Sequence, residues 1–548
     1  MAEEAIISLV TRLEAWQRAK PDALAVIDYD IPQSRARGTL VRRAALTTRV
    51  LWKQILAMAA ALRSQGVQRG DIVAVQLPNR HEFFVAHFAL YAIGAVTSPI
   101  PPIYRKRDVA RQLEVSRPVA LIVPGSFGNF DYANMAIELK AEFNCIRFVV
   151  VNDGKVPAGA LAWSDLLTLG ASVGQASARA HFGSGAEAPG VDEMMLLNFT
   201  SGTTGQPKGV MHSTRSISSC IVYGTQRLQL GDHDVLLVAP TIGHGAGFLN
   251  GLYMAEHLQG CVVFMDAWDA NFAIGIMERE RVTYAPVMPT YLYDLVAQPA
   301  IRSADLKSWV TGRVSGGAIS RTLMATLQEY LPQLRLCPGW GMSETLYSTC
   351  GSPDDPVDKR NFTEGNMVGD TQIEIRDATF DHVLPANTVG EIVTRGASLF
   401  LGYYHQDDLT RAAFTADGWM KTGDLGRLDE DGYLTMVGRS KDLVIRGGEN
   451  VPVVEVEQLL QEHELIAGAA VVGVPDARLG EKVCAVVELK QPGTPFTFEA
   501  MSAYLLEKRL TRHFLPEYLV VLDQLPRTPS GKIRKQDARA EALQRLQQ

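Results

Sequence analysis

Short apolar runs alternate with stretches of helical periodicity along most of the chain. Residues 72–77 and 119–123 read as strands, with the helical pattern of 82–93 between them. The same rhythm returns in 235–238, 261–264 and 284–287, and strands alternating with helices predict parallel sheets covered by helices, an α/β fold. Residues 194–197 read as one more short buried strand. The stretch 171–190, rich in Ala, Gly and Ser, reads as a loop or inter-lobe linker. The clearest boundary falls at Arg439-Ser-Lys441, between the strand-like runs 433–437 and 443–445. A hinge there divides the chain into a large domain, 1–440, and a second one, 441–548, of ordinary small-domain size.

At 548 residues the chain is too long for one core, and 47% hydrophobic with 21% charged residues marks it as globular. Its net charge of −7 excludes a basic field for nucleic acid. Six scattered cysteines without a C-x-x-C pair suggest neither a zinc site nor a disulfide framework and point to a reducing, cytoplasmic setting. The acidic start at Glu3 and Glu4 is unlike a signal peptide, and no apolar run approaches the ~20 residues that span a bilayer.

Candidate chemistry concentrates in Asn198-Phe-Thr-Ser-Gly-Thr-Thr-Gly-Gln-Pro-Lys-Gly209. Its hydroxyls (Thr200, Ser201, Thr203, Thr204), its glycines, Gly202 among them, and the ammonium of Lys208 are suited to cradling a phosphate. A Walker loop needs Gly-Lys before Ser or Thr, whereas here Pro207 precedes the lysine and Gly209 follows it. A solvated surface loop shares this composition, but a strand leading into a glycine turn favours phosphate.

This run resembles the signature loop of the acyl-adenylate-forming enzymes, the AMP-dependent synthetase/ligase family of acyl-CoA synthetases, peptide-synthetase adenylation domains and beetle luciferases. In the family's order follow Ser315-Gly-Gly-Ala318, Gly339-Trp-Gly-Met-Ser-Glu-Thr345, Gly390-Glu391, Lys421-Thr-Gly-Asp424, Gly438-Arg-Ser-Lys-Asp442, Gly447-Gly-Glu-Asn450 and Pro526-Arg-Thr-Pro-Ser-Gly-Lys532, so the resemblance spans nearly the whole chain. It implies a large N-terminal ATP- and acid-binding domain and a small mobile α+β C-terminal domain that carries the catalytic lysine.

The resemblance also implies roles. Lys532 would stabilise charge while a carboxylate attacks the α-phosphate of ATP. Glu344 would bind Mg²⁺ as a hard oxygen ligand, beside the catalytic Lys208. Trp340 stands where the family usually has tyrosine and would stack on adenine; Gly341 and Ser343, the latter in place of threonine, continue that nucleotide loop, and Ser315, Gly316 and Gly317 form the opposite wall. Asp424 would accept from the ribose hydroxyls, with Arg439 near ribose or phosphates. Lys441 takes the hinge position, from which a rotation brings Gly447, Gly448 and Glu449 to the site for CoA. Each residue alone has another reading: Lys532 a solvated lysine beside Arg534 and Lys535, Glu344 a helix-cap partner, Trp340 a core aromatic, Asp424 a turn residue, Arg439 half of a surface ion pair.

His244 falls where the family gates the acyl group, although a structural histidine remains open. Phe130-Asp-Tyr132 and the surroundings of His244 are similar to siderophore-type aryl-acid enzymes, which place Asn after that histidine where this chain has Gly245. With Gly247 nearby, the expectation is a roomier, more apolar pocket for an alicyclic, aromatic or medium-chain acid, with Thr241, Met288, Pro289 and Leu346 as further lining. The expected activity is an AMP-forming acid:CoA ligase using ATP, Mg²⁺ and CoA. The alternatives are an adenylating enzyme that loads a carrier protein and a non-catalytic homologue; the chain's ending soon after Lys532 without a carrier domain favours the ligase. The expected partners are the acid and CoA, with a homodimer left open.

Overall fold

The structure is a computed structural model and describes residues 8–31, 41–173, 175–183, 185–200, 207–315, 319, 321–439, 444–446, 449–451, 453–476, 479–528 and 531–546. Two sheets build the large N-terminal domain. The first has seven strands in the order Arg335–Pro338, Thr311–Val314, Tyr284–Val287, Val235–Val238, Cys261–Met265, Leu24–Asp30 and Val41–Thr47. Every neighbouring pair is parallel except the last. The second sheet has eight, in the order Gly402–Tyr403, Lys208–Ser213, Met194–Thr200, Val96–Pro99, Ile72–Val75, Ala120–Val123, Phe148–Val151 and Leu161–Ala162. Its first three strands pair antiparallel and the rest parallel.

The uninterrupted apolar runs form these strands because helices cover both faces of a parallel sheet. Between the two sheets lies helix His81–Ala92, buried at every position from Glu82 onward and touching strands of both. A helix apolar around its whole circumference has no face to offer water. Phe83, Phe84 and Phe88 are fully buried there, and each such side chain contributes about 1.5–3 kcal/mol through removal from water.

Two elements depart from the expectation. Inside the supposed linker 171–190, Gln175–Phe182 is a helix, because Ala178 and Phe182, one turn apart, pack into the central core. A four-stranded antiparallel sheet, Gln372–Arg376, Gly390–Arg395, Met420–Leu428 and Leu434–Arg439, follows the parallel ones. The C-terminal domain is α+β: Val444–Arg446, Glu449–Val451, Ile466–Asp476 and Gly480–Leu489 pair antiparallel, and Tyr518–Leu522 joins parallel. Helices Val453–Gln461 and Phe498–Glu507 contribute to the core on one face of this sheet and Lys535–Leu546 to that on the other. Among the described residues no helix is long and apolar enough to cross a membrane.

Candidate active site

Strands Val235–Val238, Tyr284–Val287, Thr311–Val314 and Arg335–Pro338 run in parallel, and the loops leaving their carboxyl ends carry His244, Met288, Ser315 and Trp340. Ends in register, with Val287 opposite Val314 and Val314 opposite Pro338, place these loops along one edge of the sheet. That edge is where open parallel sheets bind ligands.

The loop after Pro338 folds back on itself. A Cβ at Gly341 would lie 1.7 Å from the Leu346 carbonyl oxygen, so only glycine fits, and Leu346 takes a left-handed φ of 56°. The amides of Ser348 and Thr349 donate to the Trp340 carbonyl at 3.1 and 3.0 Å and close the base of the loop. Glu344 stands within it, 5% exposed.

Three contacts tie this loop to the second sheet. The Tyr403 hydroxyl donates to Glu344 Oε1 at 2.8 Å, and the Phe400 amide donates to the Glu344 carbonyl at 2.8 Å. His212 Nε2 lies 2.7 Å from the Ser343 carbonyl oxygen, which can only accept, so this nitrogen carries the proton. Burial lowers the His212 pKa to about 4, keeping the ring neutral for that tautomer. Lys208 sits with its ammonium 4.9 Å from the centre of the Tyr403 ring. Opposite Lys208 in the hairpin register is Thr200, the last described pair of that hairpin. Glu344 Oε2 receives no hydrogen bond from a described residue, leaving a hard oxygen that suits Mg²⁺.

Asp424 is 4% exposed and lies across from Arg439 in the antiparallel sheet. Arg439 Nε forms an ion pair with its Oδ1 at 3.1 Å, and Trp340 Nε1 donates to its Oδ2 at 2.9 Å. A carboxylate accepts about four hydrogen bonds, so capacity remains for a diol. Gly423, just before it, has φ +70°, a turn that glycine takes without strain. Trp340 itself is 7% exposed and packs on Ile373, Ile375, Ile392 and Leu434. The indole thus orients Asp424 from within the core.

Lys532 follows Gly531, whose φ is +85°, in a turn closed by the Thr528 amide on the Lys532 carbonyl at 2.6 Å and the Lys532 amide on Thr528 Oγ1 at 3.1 Å. The residue as a whole is exposed. Its pKa is lowered by burial first and then by the positive charge of Arg439, while Asp424 acts in the opposite direction. Burial, and secondarily the charge of Lys532, lowers His244 to about 4, so this ring is neutral at pH 7. One lysine from the C-terminal domain therefore acts electrostatically on three residues of the N-terminal domain.

The two glycines of the expected acyl pocket differ. A Cβ at Gly245 would meet only Asn198 Nδ2, at 3.9 Å, so space opens there. At Gly247 it would come 2.2 Å from the Thr241 carbonyl oxygen and 2.4 Å from that of Pro240, so Gly247 serves backbone packing and adds no room to the pocket.

Ser201, Gly202, Thr203, Thr204, Gly316, Gly317, Lys441, Gly447 and Gly448 lie outside the described residues, and Glu449 is placed only as backbone of its strand. The sequence reading missed Tyr403 and His212, since neither sits in a motif and both act through partners far along the chain. Among the described residues, the group of ligand-type side chains close enough to share a metal is Asp28, His81 and Glu82, and the Arg43 guanidinium already supplies its cation, 2.7 and 3.0 Å from the Glu82 oxygens.

Residues 13–404 match the AMP-binding enzyme family and residues 455–532 the AMP-binding enzyme C-terminal domain. The chain is 31% identical over 537 residues to a medium-chain fatty-acid–CoA ligase of Escherichia coli K12, covering 97% of this chain and 90% of that one. It is 33% identical over 507 residues to the 3-[(3aS,4S,7aS)-7a-methyl-1,5-dioxo-octahydro-1H-inden-4-yl]propanoyl:CoA ligase of Rhodococcus jostii RHA1, covering 90% and 94%. Its fold superposes on the anthranilate CoA ligase AuaEII, in complex with anthranoyl-AMP, with a TM-score of 0.86 over all of both chains at 22% identity. The chain belongs to the AMP-binding enzyme family.

Proposed function

We propose that the protein is an AMP-forming carboxylic acid:CoA ligase. The observation that carries this reading is that Lys532 of the C-terminal domain lies within electrostatic reach of His244, Asp424 and Arg439, which supports a cation where acid and nucleotide would meet. In the first half-reaction a carboxylate oxygen bonds to the α-phosphorus of ATP and pyrophosphate leaves. In the second the CoA sulfur bonds to the acyl carbon, AMP leaves with the electron pair of the broken C–O bond, and the thiol proton passes to solvent.

Lys208 and Thr200, with Ser201, Gly202, Thr203 and Thr204, hold the phosphates. Glu344 holds Mg²⁺, which when bound neutralises phosphate charge. Asp424 takes the ribose hydroxyls, oriented by Trp340 and Arg439, and Ser315, Gly316 and Gly317 face the adenine. His244, neutral, borders the acid without adding charge beside the carboxylate, and Gly245 leaves room for the acyl group. Rotation at Lys441 then exchanges Lys532 for Gly447, Gly448 and Glu449. The relatives' acids support an alicyclic, aromatic or medium-chain substrate. Six unpaired cysteines fit a reducing cytoplasm.

The test is AMP release from ATP and Mg²⁺ over a panel of such acids, with and without CoA. Acid-dependent AMP that reaches multiple turnovers only with CoA is expected. Pyrophosphate exchange without CoA-driven turnover would replace CoA by a carrier-protein thiol, and no acid-dependent signal would overturn the reading.

Tyr403→Phe keeps the ring beside Lys208 and withdraws the hydroxyl from Glu344. A hydrogen bond to a charged group contributes about 1.5–3 kcal/mol, so at least ~10-fold slower AMP formation is expected at saturating substrates. An unchanged rate would show that Glu344 keeps its position without that hydroxyl.

A further inference from the structure

Arg313, in strand Thr311–Val314, is 2% exposed, and its guanidinium carbon lies 3.2 Å from the centre of the Tyr347 ring. Its Nε and Nη1 have no hydrogen-bond partner, and no carboxylate pairs with it among the described residues. Such a cation is costly to bury unless an anion or several acceptors face it. The neighbouring groups cannot supply one. Burial pushes the Cys220 thiol up to about 12 and likewise raises Cys337, Cys350, Tyr284 and Tyr347, so all stay neutral. The face of Tyr347 offsets part of the charge but accepts none of the N–H groups in their plane.

The location points to the acid. Tyr347 belongs to the loop of Glu344, and a Cβ at Gly339, where that loop begins, would lie 2.7 Å from Arg313 Nη2. On the other side the Tyr347 hydroxyl accepts from Asn250 Nδ2 at 2.5 Å, and the same amide donates to the Ala246 carbonyl at 2.7 Å, one residue beyond Gly245. The Tyr284 hydroxyl donates to Asn250 Oδ1 at 2.6 Å. Asn250 lies in a π-helical turn, Leu249–Tyr253, a local irregularity frequent at functional sites. Arg313 thus packs on Tyr347, which is linked through Asn250 to the turn of Gly245 and lies in the loop of Glu344. The hydroxyl of Ser348, next to Tyr347, is also buried without a partner among the described residues.

We propose that Arg313 determines acid specificity: it binds a second oxygen acceptor, carboxylate or keto, at the far end of an acid whose near carboxylate is adenylated. This rests on the ligase reading above and adds one polar anchor to the roomier, more apolar pocket expected from the sequence. The guanidinium fork matches a carboxylate with two parallel hydrogen bonds and a keto oxygen with one or two.

The test compares monocarboxylic acids, ω-keto acids and dicarboxylic acids of matched length in acid-dependent AMP formation, using the full chain, Arg313→Met and Arg313→Lys, with thermal melting of each. The native protein is expected to prefer the acceptor-bearing acids, and Arg313→Met to lose ~100-fold in kcat/KM for them alone, because a buried polar site rejects partners that leave it unpaired. Plain acids should be used as well or better by Arg313→Met, and its melting temperature should not fall. Arg313→Lys, with charge but no fork, should be intermediate for dicarboxylic acids. A native preference for dicarboxylic over keto acids assigns the acceptor as an anion, and the reverse as a carbonyl. Equal losses for all acids with a lowered melting temperature in both variants would make Arg313 a folding residue and overturn the proposal, as would equal use of all three classes by the native chain. AMP from none of the acids, whatever stands at position 313, would instead sink the ligase reading itself.

Discussion

Replacing Lys532 by alanine is expected to slow acid-dependent ATP–pyrophosphate exchange by ~10²–10³-fold, the usual cost of removing one preorganised group aimed at developing charge. Transfer of the acyl group from preformed acyl-adenylate to CoA should change little if, as proposed, rotation at Lys441 takes the lysine out of the site for that step. Equal loss in both half-reactions would mean that the variant had damaged the site as a whole. Lys532→Arg should recover part of the first half-reaction. The pH dependence follows from charge: the ammonium is the active form, so adenylation falls as pH rises through its folded pKa. Burial and Arg439 place that pKa below the usual 10.5, so the alkaline decline begins earlier than for a free lysine. A second readout is independent of turnover. Without the positive charge of Lys532, the His244 pKa should rise from about 4, though not fully, since burial is its larger cause. NMR titration of His244 showing no change would place Lys532 away from the acid site.

Asp424→Asn is expected to raise the KM for ATP by ~30-fold or more while leaving the KM for the acid nearly unchanged. The carboxylate accepts from Trp340 Nε1 at 2.9 Å and pairs through its other oxygen with Arg439 Nε at 3.1 Å, and an amide offers one acceptor oxygen where two are in use. Losing a hydrogen bond to a charged group costs about 1.5–3 kcal/mol, which brackets that factor. ATP affinity measured by calorimetry separates binding from turnover. Unaltered affinity with slowed chemistry would move Asp424 from ribose binding to the reacting centre. Trp340→Phe offers a milder comparison: it keeps the packing on Ile373 and Leu434 but withdraws one donor, so its effect on ATP should have the same direction and smaller size.

Much of the architecture was legible because its causes are local. The runs at 72–77, 119–123, 235–238, 261–264 and 284–287 are apolar on both faces, and only strands covered by helices on each side accept such runs. The glycine and hydroxyl run from Asn198 to Gly209 carried a chemical signal of its own, since phosphate binding needs small residues and donors close together in sequence. The helix Gln175–Phe182 was hidden because Ala and Ser are also loop residues, and what decides it is the core waiting for Phe182.

The sequence by itself determined the fold class, the family and the candidates for nucleotide and lysine chemistry, because motif, periodicity and turn residues act over a few positions. Tertiary structure decided how those candidates work together. Tyr403 reaches Glu344 from 59 positions away and Trp340 reaches Asp424 across 84, distances over which no local pattern in the chain reports a contact. It also separated two glycines that look alike in sequence, the open Gly245 and the backbone-packed Gly247. It left Arg313 buried without a counter-ion among the described residues, a fact invisible in the string Thr311-Gly-Arg-Val314. The physical reason is common to all of these: hydrogen bonding, burial and charge depend on which side chains meet through space, and that is set only when distant strands come into register.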